Sequence, residues 1–205
     1  MKLIIVENYE EMSKVGAEVL ASTIRQSPTG VLGLATGSTP LLTYDLLAQM
    51  CKCKELSFKD IHTVNLDEYR GLDSKNVNSY AYFMRKNLFD KVDINLANTH
   101  LPSGLGDEQA ACENYTKLLK DNVQDVQLLG LGSDGHIGFN EPLSPFQGHT
   151  HVVKLAQSTL KDNARLFEHP EDVPHYAITM GIADIMQAKQ ILLLASGANK
   201  AQAVY

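Results

Sequence analysis

The chain has 205 residues, 44% of them hydrophobic and 20% charged, with 18 Lys plus Arg against 24 Asp plus Glu and a formal net charge of −6. That length and composition predict one soluble globular domain, and the weakly acidic balance, with no basic cluster to track a phosphate backbone, excludes nucleic acid as the expected partner. No run reaches the roughly 18 uncharged apolar residues of a membrane span, no leader pattern follows Met1, and the three cysteines suit neither a disulfide framework nor a zinc site, so a reduced, cytoplasmic protein is expected.

In chain order, "KLIIVE" reads as a buried first strand, and Asn8 with Glu11 resembles a capping box that opens a helix with Met12, Val15, Val19, Leu20 and Ile24 on its apolar stripe. Ser27-Pro28-Thr29-Gly30 ends it. "VLGLA" (31–35) is the next strand and passes through "TGSTP" into the helical pattern "LLTYDLLAQM", with Pro40 suited to its first turn. "IHTVNL" is a strand that exits into a loop, "DEYRGL"; an aromatic-rich helix spans 79–89, and "DINLANTHLPSG" breaks the pattern. A helix near 109–122 precedes the apolar strand within "DVQLLGLG" (125–132). "HTHVVKL" is then a strand, "STLKDNARLF" a helix, "YAITM" a strand, "ADIMQA" a short helix and "QILLLAS" a final buried strand. "GANKAQAVY" opens another helix, and a last C-terminal element is expected to be missing. The alternation predicts a single α/β domain over 1–205, built on a mainly parallel sheet flanked by helices.

Ligands of such sheets bind beyond the carboxyl ends of the strands, and four strand exits carry unusual chemistry. Thr36, Gly37, Ser38 and Thr39 place hydroxyls at a helix start, an arrangement that suits a phosphate; Ser38 or Thr39 as a plain N-cap accounts for the same residues. No lysine follows at the Walker position, so a nucleotide is disfavoured. "SGANK" brings Lys200 to the last strand exit and Arg165 is a further phosphate partner, although each taken alone reads first as a solvated surface group. Asp67 and Glu68 leave a strand together, so one faces a cleft while the other turns away, and Asp67 is the candidate base.

The densest cluster is "GLGSDGHIGFNEP" (130–142), where a glycine-rich backbone can fold Asp134 and Glu141 around His136 and set its tautomer. That is a proton-handling group rather than a lone structural histidine. His149-x-His151 has a spacing that a metal can use on a strand, but no third ligand is near, and both read as polar strand residues.

"LDEYRGL", "GLGSDGHIGFNEP", "TGSTP" and "SGANKAQA" together resemble the glucosamine-6-phosphate deaminase family, in family order from near Met1 to Tyr205. The resemblance implies a modified Rossmann-like domain, shared with phosphogluconolactonases and ribose-phosphate isomerases, that converts glucosamine 6-phosphate and water to fructose 6-phosphate and ammonia. It implies phosphate binding by Thr36 to Thr39, Arg165 and Lys200, and no metal or organic cofactor. The reaction needs a ring-opening acid–base group, for which His136 with Asp134 and Glu141 is the candidate, and a base between C2 and C1, for which Asp67 is. His151 and Val153 stand where allosteric relatives carry cations, so no activation by an acetylated sugar phosphate is expected, and the chain is expected to be a monomer or small homo-oligomer rather than a hexamer. A phosphogluconolactonase and a sugar-phosphate sensor without turnover are the competing readings. The stretch around 142–148 and the one before Tyr176 are candidate lids. All of this requires Asp67 and His136 to face one sugar.

Overall fold

The structure is a computed structural model and describes residues 1–164, 167 and 169–205. Its elements run α1 (Tyr9–Gln26), β1 (Val31–Leu34), α2 (Leu41–Lys52), β2 (His62–Asn65), β3 (Asp67–Tyr69), α3 (Tyr80–Asn87), β4 (Thr99–His100), α4 (Glu108–Asp121), β5 (Val126–Leu129), β6 (His151–Lys154), α5 (Gln157–Ala164), β7 (Tyr176–Thr179), α6 (Ile182–Ile185), β8 (Ile191–Leu193) and α7 (Ala201–Val204). Five strands form a parallel sheet in the order β4-β2-β1-β5-β8, and a second sheet, β3-β7-β6, is antiparallel. The mainly parallel α/β architecture is the expected one; the small antiparallel sheet is an addition.

The central strands are short apolar runs because both faces of a parallel sheet are covered by helices. Leu32, Leu34, Val64, Val126 and Leu128 are all essentially inaccessible. Helix α1 packs on α2 and buries Met12, Leu20 and Ile24. Its N-cap Asn8 accepts from the Glu11 N–H, while the Glu11 side chain turns outward to Lys14, so only half of the capping box forms. Gly33 is needed for packing: a Cβ there would run into the buried Gln127 side chain on the neighbouring strand.

Four expectations are corrected. "KLIIVE" is not a strand: residues 1–6 have no ladder partner among the described residues, and Leu3 and Ile5 are 72% and 85% exposed. Apolar alternation makes a strand only where a neighbour accepts its hydrogen bonds. "QILLLAS" does form a strand, but β8 is an edge with one partner, and Ile191 and Leu193 stay 38% and 43% exposed. "DEY" is no loop but β3, paired with β7 through Asp67↔Thr179, Glu68↔Ile178 and Tyr69↔Ala177. The segment expected to break the pattern contains β4, a two-residue edge strand on β2.

Candidate active site

All five parallel strands point the same way, so their carboxyl-end loops lie side by side along one rim. Tyr44 Oη of α2 donates to the Ala35 carbonyl at 2.6 Å and pins the exit of β1. Gly37 then adopts φ +95°, a left-handed conformation that a Cβ would strain. Neither Ser38 nor Thr39 caps α2: Pro40 holds the N-cap position without a side-chain cap bond. Among the described residues the Thr36, Ser38 and Thr39 hydroxyls make no hydrogen bond, whereas the Leu42 N–H in the first turn of α2 donates to Tyr9 Oη at 3.2 Å, so the three hydroxyls are the uncommitted groups at this strand exit. The plain-cap alternative is thereby removed. Gly197 repeats φ +95° after β8, and Lys200, at the end of the short helical turn Ala198–Lys200, makes no ion pair among the described residues. Beside it lies an open cavity of about 540 Å³ lined by Ala195, Gly197, Lys200, Ala201, Val204 and Tyr205. That cavity reaches neither Asp67 nor His136. Arg165 lies outside the described residues.

Strand β3 continues almost directly from the end of β2, with Leu66 N–H donating to Leu34 and Leu66 carbonyl accepting from Met180. Asp67 is 6% exposed and Glu68 3%. Burial, and then the neighbouring Glu68 charge, push the Asp67 pKa from 3.8 up to about 8. Glu68 turns inward, where its carboxylate accepts from Tyr69, Tyr80 and Ala81 N–H at 2.8, 2.9 and 2.9 Å. Burial pushes its pKa up, against those three bonds.

The loop after β5 turns on Gly135 and Gly138, at φ +93° and +61°. Asp134 Oδ1 lies 2.7 Å from His136 Nδ1 and also accepts the His136 N–H. Although burial acts to raise it, those contacts leave the Asp134 pKa lowered. The imidazole stands over Gly132, where a Cβ would strike the ring, and the Gly132 N–H donates to the His136 carbonyl. Donor atoms of Asp134, His136 and Glu141 lie within 4.8 Å of one another, one imidazole and two carboxylates that could share a small ligand or a divalent ion.

What joins the two halves is Gly138. A Cβ built there would sit 3.0 Å from Thr179 Oγ1 and 3.3 Å from Asp67 Oδ2, so two residues after His136 the glycine loop passes close enough to the buried aspartate to leave no room for a side chain. Thr39 Oγ1 is 4.0 Å from the corresponding position on Gly130, which ties the β1 exit to the β5 exit. Asp67, the His136 loop and the hydroxyl loop therefore occupy one rim.

Residues 7–205 match the family described as glucosamine-6-phosphate isomerases/6-phosphogluconolactonase. The chain belongs to that family. A glucosamine-6-phosphate deaminase of Shouchella clausii is 52% identical over 99% of this chain and 83% of its own length. The deaminase of Mycoplasma mycoides is 48% identical over 100% and 84%. Among solved structures of the family, a monomeric glucosamine-6-phosphate deaminase superposes with a TM-score of 0.97 at 46% identity, covering all of this chain and 86% of that one. The 6-phosphogluconolactonase of Thermotoga maritima, at TM-score 0.75, 18% identity and coverage of 98% and 86%, shares the fold.

Within this family fold, His149 and His151 do not form a shared metal face. His149 Nδ1 is 2.6 Å from the buried Asp184, which also accepts from Thr150, and His151 Nδ1 is 2.9 Å from the His149 carbonyl. Thr179 and Asn140 join the site only in the folded structure. Thr179 Oγ1 accepts the Phe139 N–H, and Asn140 Nδ2 donates to the Ile137 and Met180 carbonyls, so both fasten the His136 loop to β7. No local signal marks Thr179, whose role exists only through its cross-strand pairing with Asp67. Asn140 lies inside the glycine-rich motif, and its fastening bonds exist only in the folded chain.

Proposed function

We propose that the protein is a glucosamine-6-phosphate deaminase, producing fructose 6-phosphate and ammonia from glucosamine 6-phosphate and water, with residues 1–205 forming one catalytic domain. The observation that supports this reading is the approach of the glycine loop to Asp67: a Cβ built on Gly138, two residues after the acid-oriented His136 imidazole, would lie 3.3 Å from the buried, proton-avid Asp67 carboxyl. Hydrolysis of a lactone needs an activated water but no second, separately buried base; moving hydrogen from C2 to C1 does.

In this reading Thr36 to Thr39 and Lys200, with Arg165, hold the phosphate and fix the sugar carbons relative to Asp67. The His136 imidazole, oriented by Asp134 and accompanied by Glu141, takes the anomeric hydroxyl proton and returns one to the ring oxygen, giving the open aldehyde. Asp67 then takes the C2 proton and delivers it to C1 while the C1 oxygen gains the proton that the C2 ammonium releases, leaving a protonated imine at C2. Water adds to that carbon and ammonia departs, which balances the reaction. Carboxylates near the amine favour its ammonium form.

The chain acts as a monomer or small oligomer and lacks activation by acetylated sugar phosphates, because His151 and Val153 supply no pair of fixed cations on β6. Among the described residues no helix is long and apolar enough to cross a membrane. Incubating the protein with glucosamine 6-phosphate tests the proposal: equal amounts of ammonia and fructose 6-phosphate are expected. Absence of both with hydrolysis of 6-phosphogluconolactone would assign the other activity in the family's name, and tight sugar-phosphate binding without turnover would make it a sensor.

A further inference from the structure

Glu68 is the most deeply committed ionisable group that the proposed reaction does not use. Its Oε1 accepts the Tyr69 and Tyr80 N–H groups and its Oε2 the Ala81 N–H, so three of about four acceptor positions of a carboxylate are filled by backbone donors. Tyr80 and Ala81 are the first residues of α3, whose N-cap Ser79 separately accepts from Tyr82. Ser79 satisfies one first-turn donor, and Glu68 satisfies two more while bonding the strand to the helix.

Asp67 lies next to it without any such anchor. Among the described residues no hydrogen bond reaches the Asp67 carboxylate, so its direction is inherited from the β3 backbone. That backbone is held on one side by the ladder to β7 and on the other by the Glu68 clamp to α3.

We propose that Glu68 is a positioning residue for the Asp67 base, its carboxylate locking β3 to the first turn of α3 so that Asp67 faces the substrate without a direct tether. This role rests on the deaminase reading for its effect on turnover, but the geometry is independent of it. The clamp also places a second carboxyl group beside the base. The titratable groups that sense the Asp67 charge are Glu68 and Tyr69 on β3, Tyr80 on α3 and Tyr115 on α4. The three phenols are pushed upward by burial and stay neutral, which leaves Glu68 as the carboxylate among them.

Two variants of the full chain separate position from charge. Glu68→Gln removes the charge and sets an amide NH₂ against backbone donors; Ala81→Pro deletes one donor, keeps the charge, and is sterically allowed in a first helical turn. The readouts are steady-state kinetics with glucosamine 6-phosphate and the Asp67 carboxyl titration followed by ¹³C NMR, with thermal unfolding as the control for folding. For Glu68→Gln, kcat should fall about tenfold or more with KM within about twofold, and Asp67 should titrate lower by about one pH unit. For Ala81→Pro, kcat should fall by a smaller factor while the Asp67 midpoint stays in place. A folded Glu68→Gln protein with the wild-type Asp67 midpoint, or with KM rising in step with the loss of kcat, would overturn the proposal. If Glu68→Gln does not fold, an unchanged kcat in Ala81→Pro overturns it. If the wild-type chain shows no deamination, the function above fails, and the Asp67 titration still decides the role of Glu68.

Discussion

Replacing Asp67 with Asn tests the central electrostatic claim through stability as well as turnover. The amide has nearly the volume of the carboxyl but cannot ionise. In the folded chain burial and Glu68 raise the Asp67 pKa from 3.8 to about 8, whereas the unfolded chain ionises near the ordinary value. Between those limits the unfolded state releases a proton that the native state keeps, so the contribution of Asp67 to stability falls as pH rises, and levels off above about 8. The wild-type penalty relative to a neutral residue is about 1.5 kcal/mol at pH 5 and about 4 kcal/mol at pH 7. Urea unfolding of both proteins at pH 5, 6, 7 and 8 should show the stability difference, Asp67→Asn minus wild type, growing by about 2.5 kcal/mol between pH 5 and 7. Groups distant from Asp67 titrate alike in both and cancel, while loss of the Asp67 charge eases ionisation of its coupled neighbour Glu68 and works in the same direction. Deamination should be lost in the same variant while sugar-phosphate binding survives. A difference that stays flat to within about 0.5 kcal/mol would refute the buried-base argument, and near-normal turnover would remove Asp67 from the base role.

Asp134→Asn should leave the fold intact but release the His136 tautomer, lowering kcat/KM by about 10²–10⁴-fold in a coupled fructose 6-phosphate assay. Gly132→Ala should give a similar loss by pushing the imidazole off its seat, with little change in unfolding temperature, since the half-exposed ring can rotate away. Lys200→Ala should raise KM for glucosamine 6-phosphate about 10-fold or more while changing kcat far less, because a phosphate contact persists through the reaction. In the core, Leu34→Ala should cost about 2–5 kcal/mol of unfolding free energy in urea titrations; a cost below 1 kcal/mol would mean that β1 is not the packed centre.

The strands of the parallel sheet and the principal helices were legible because their signals are local. "VLGLA", "IHTVNL" and "DVQLL" are uninterrupted apolar runs bounded by turn residues, and Asn8, Ser79 and Asp107 all serve as side-chain N-caps at the helix starts they precede. The motif residues were legible for the same reason: a glycine-rich loop concentrates Asp134, His136 and Glu141 within eight positions, and the structure brings their donor atoms together. The status of edges was not legible. Residues 2–7 and 190–196 have the same apolar character as the central strands, yet the first finds no partner among the described residues and the second only one.

Residue types and order thus determined an α/β chain with polar, glycine-rich strand exits and a histidine flanked by two acids. Tertiary structure decided that Asp67 lies on a strand of a second sheet, that Glu68 turns inward to α3, and that Gly138 carries the His136 loop against Asp67. Periodicity and capping depend on neighbours a few positions away, while pairing, desolvation and a raised carboxyl pKa depend on which distant segments pack there, and spacing along the chain does not encode that.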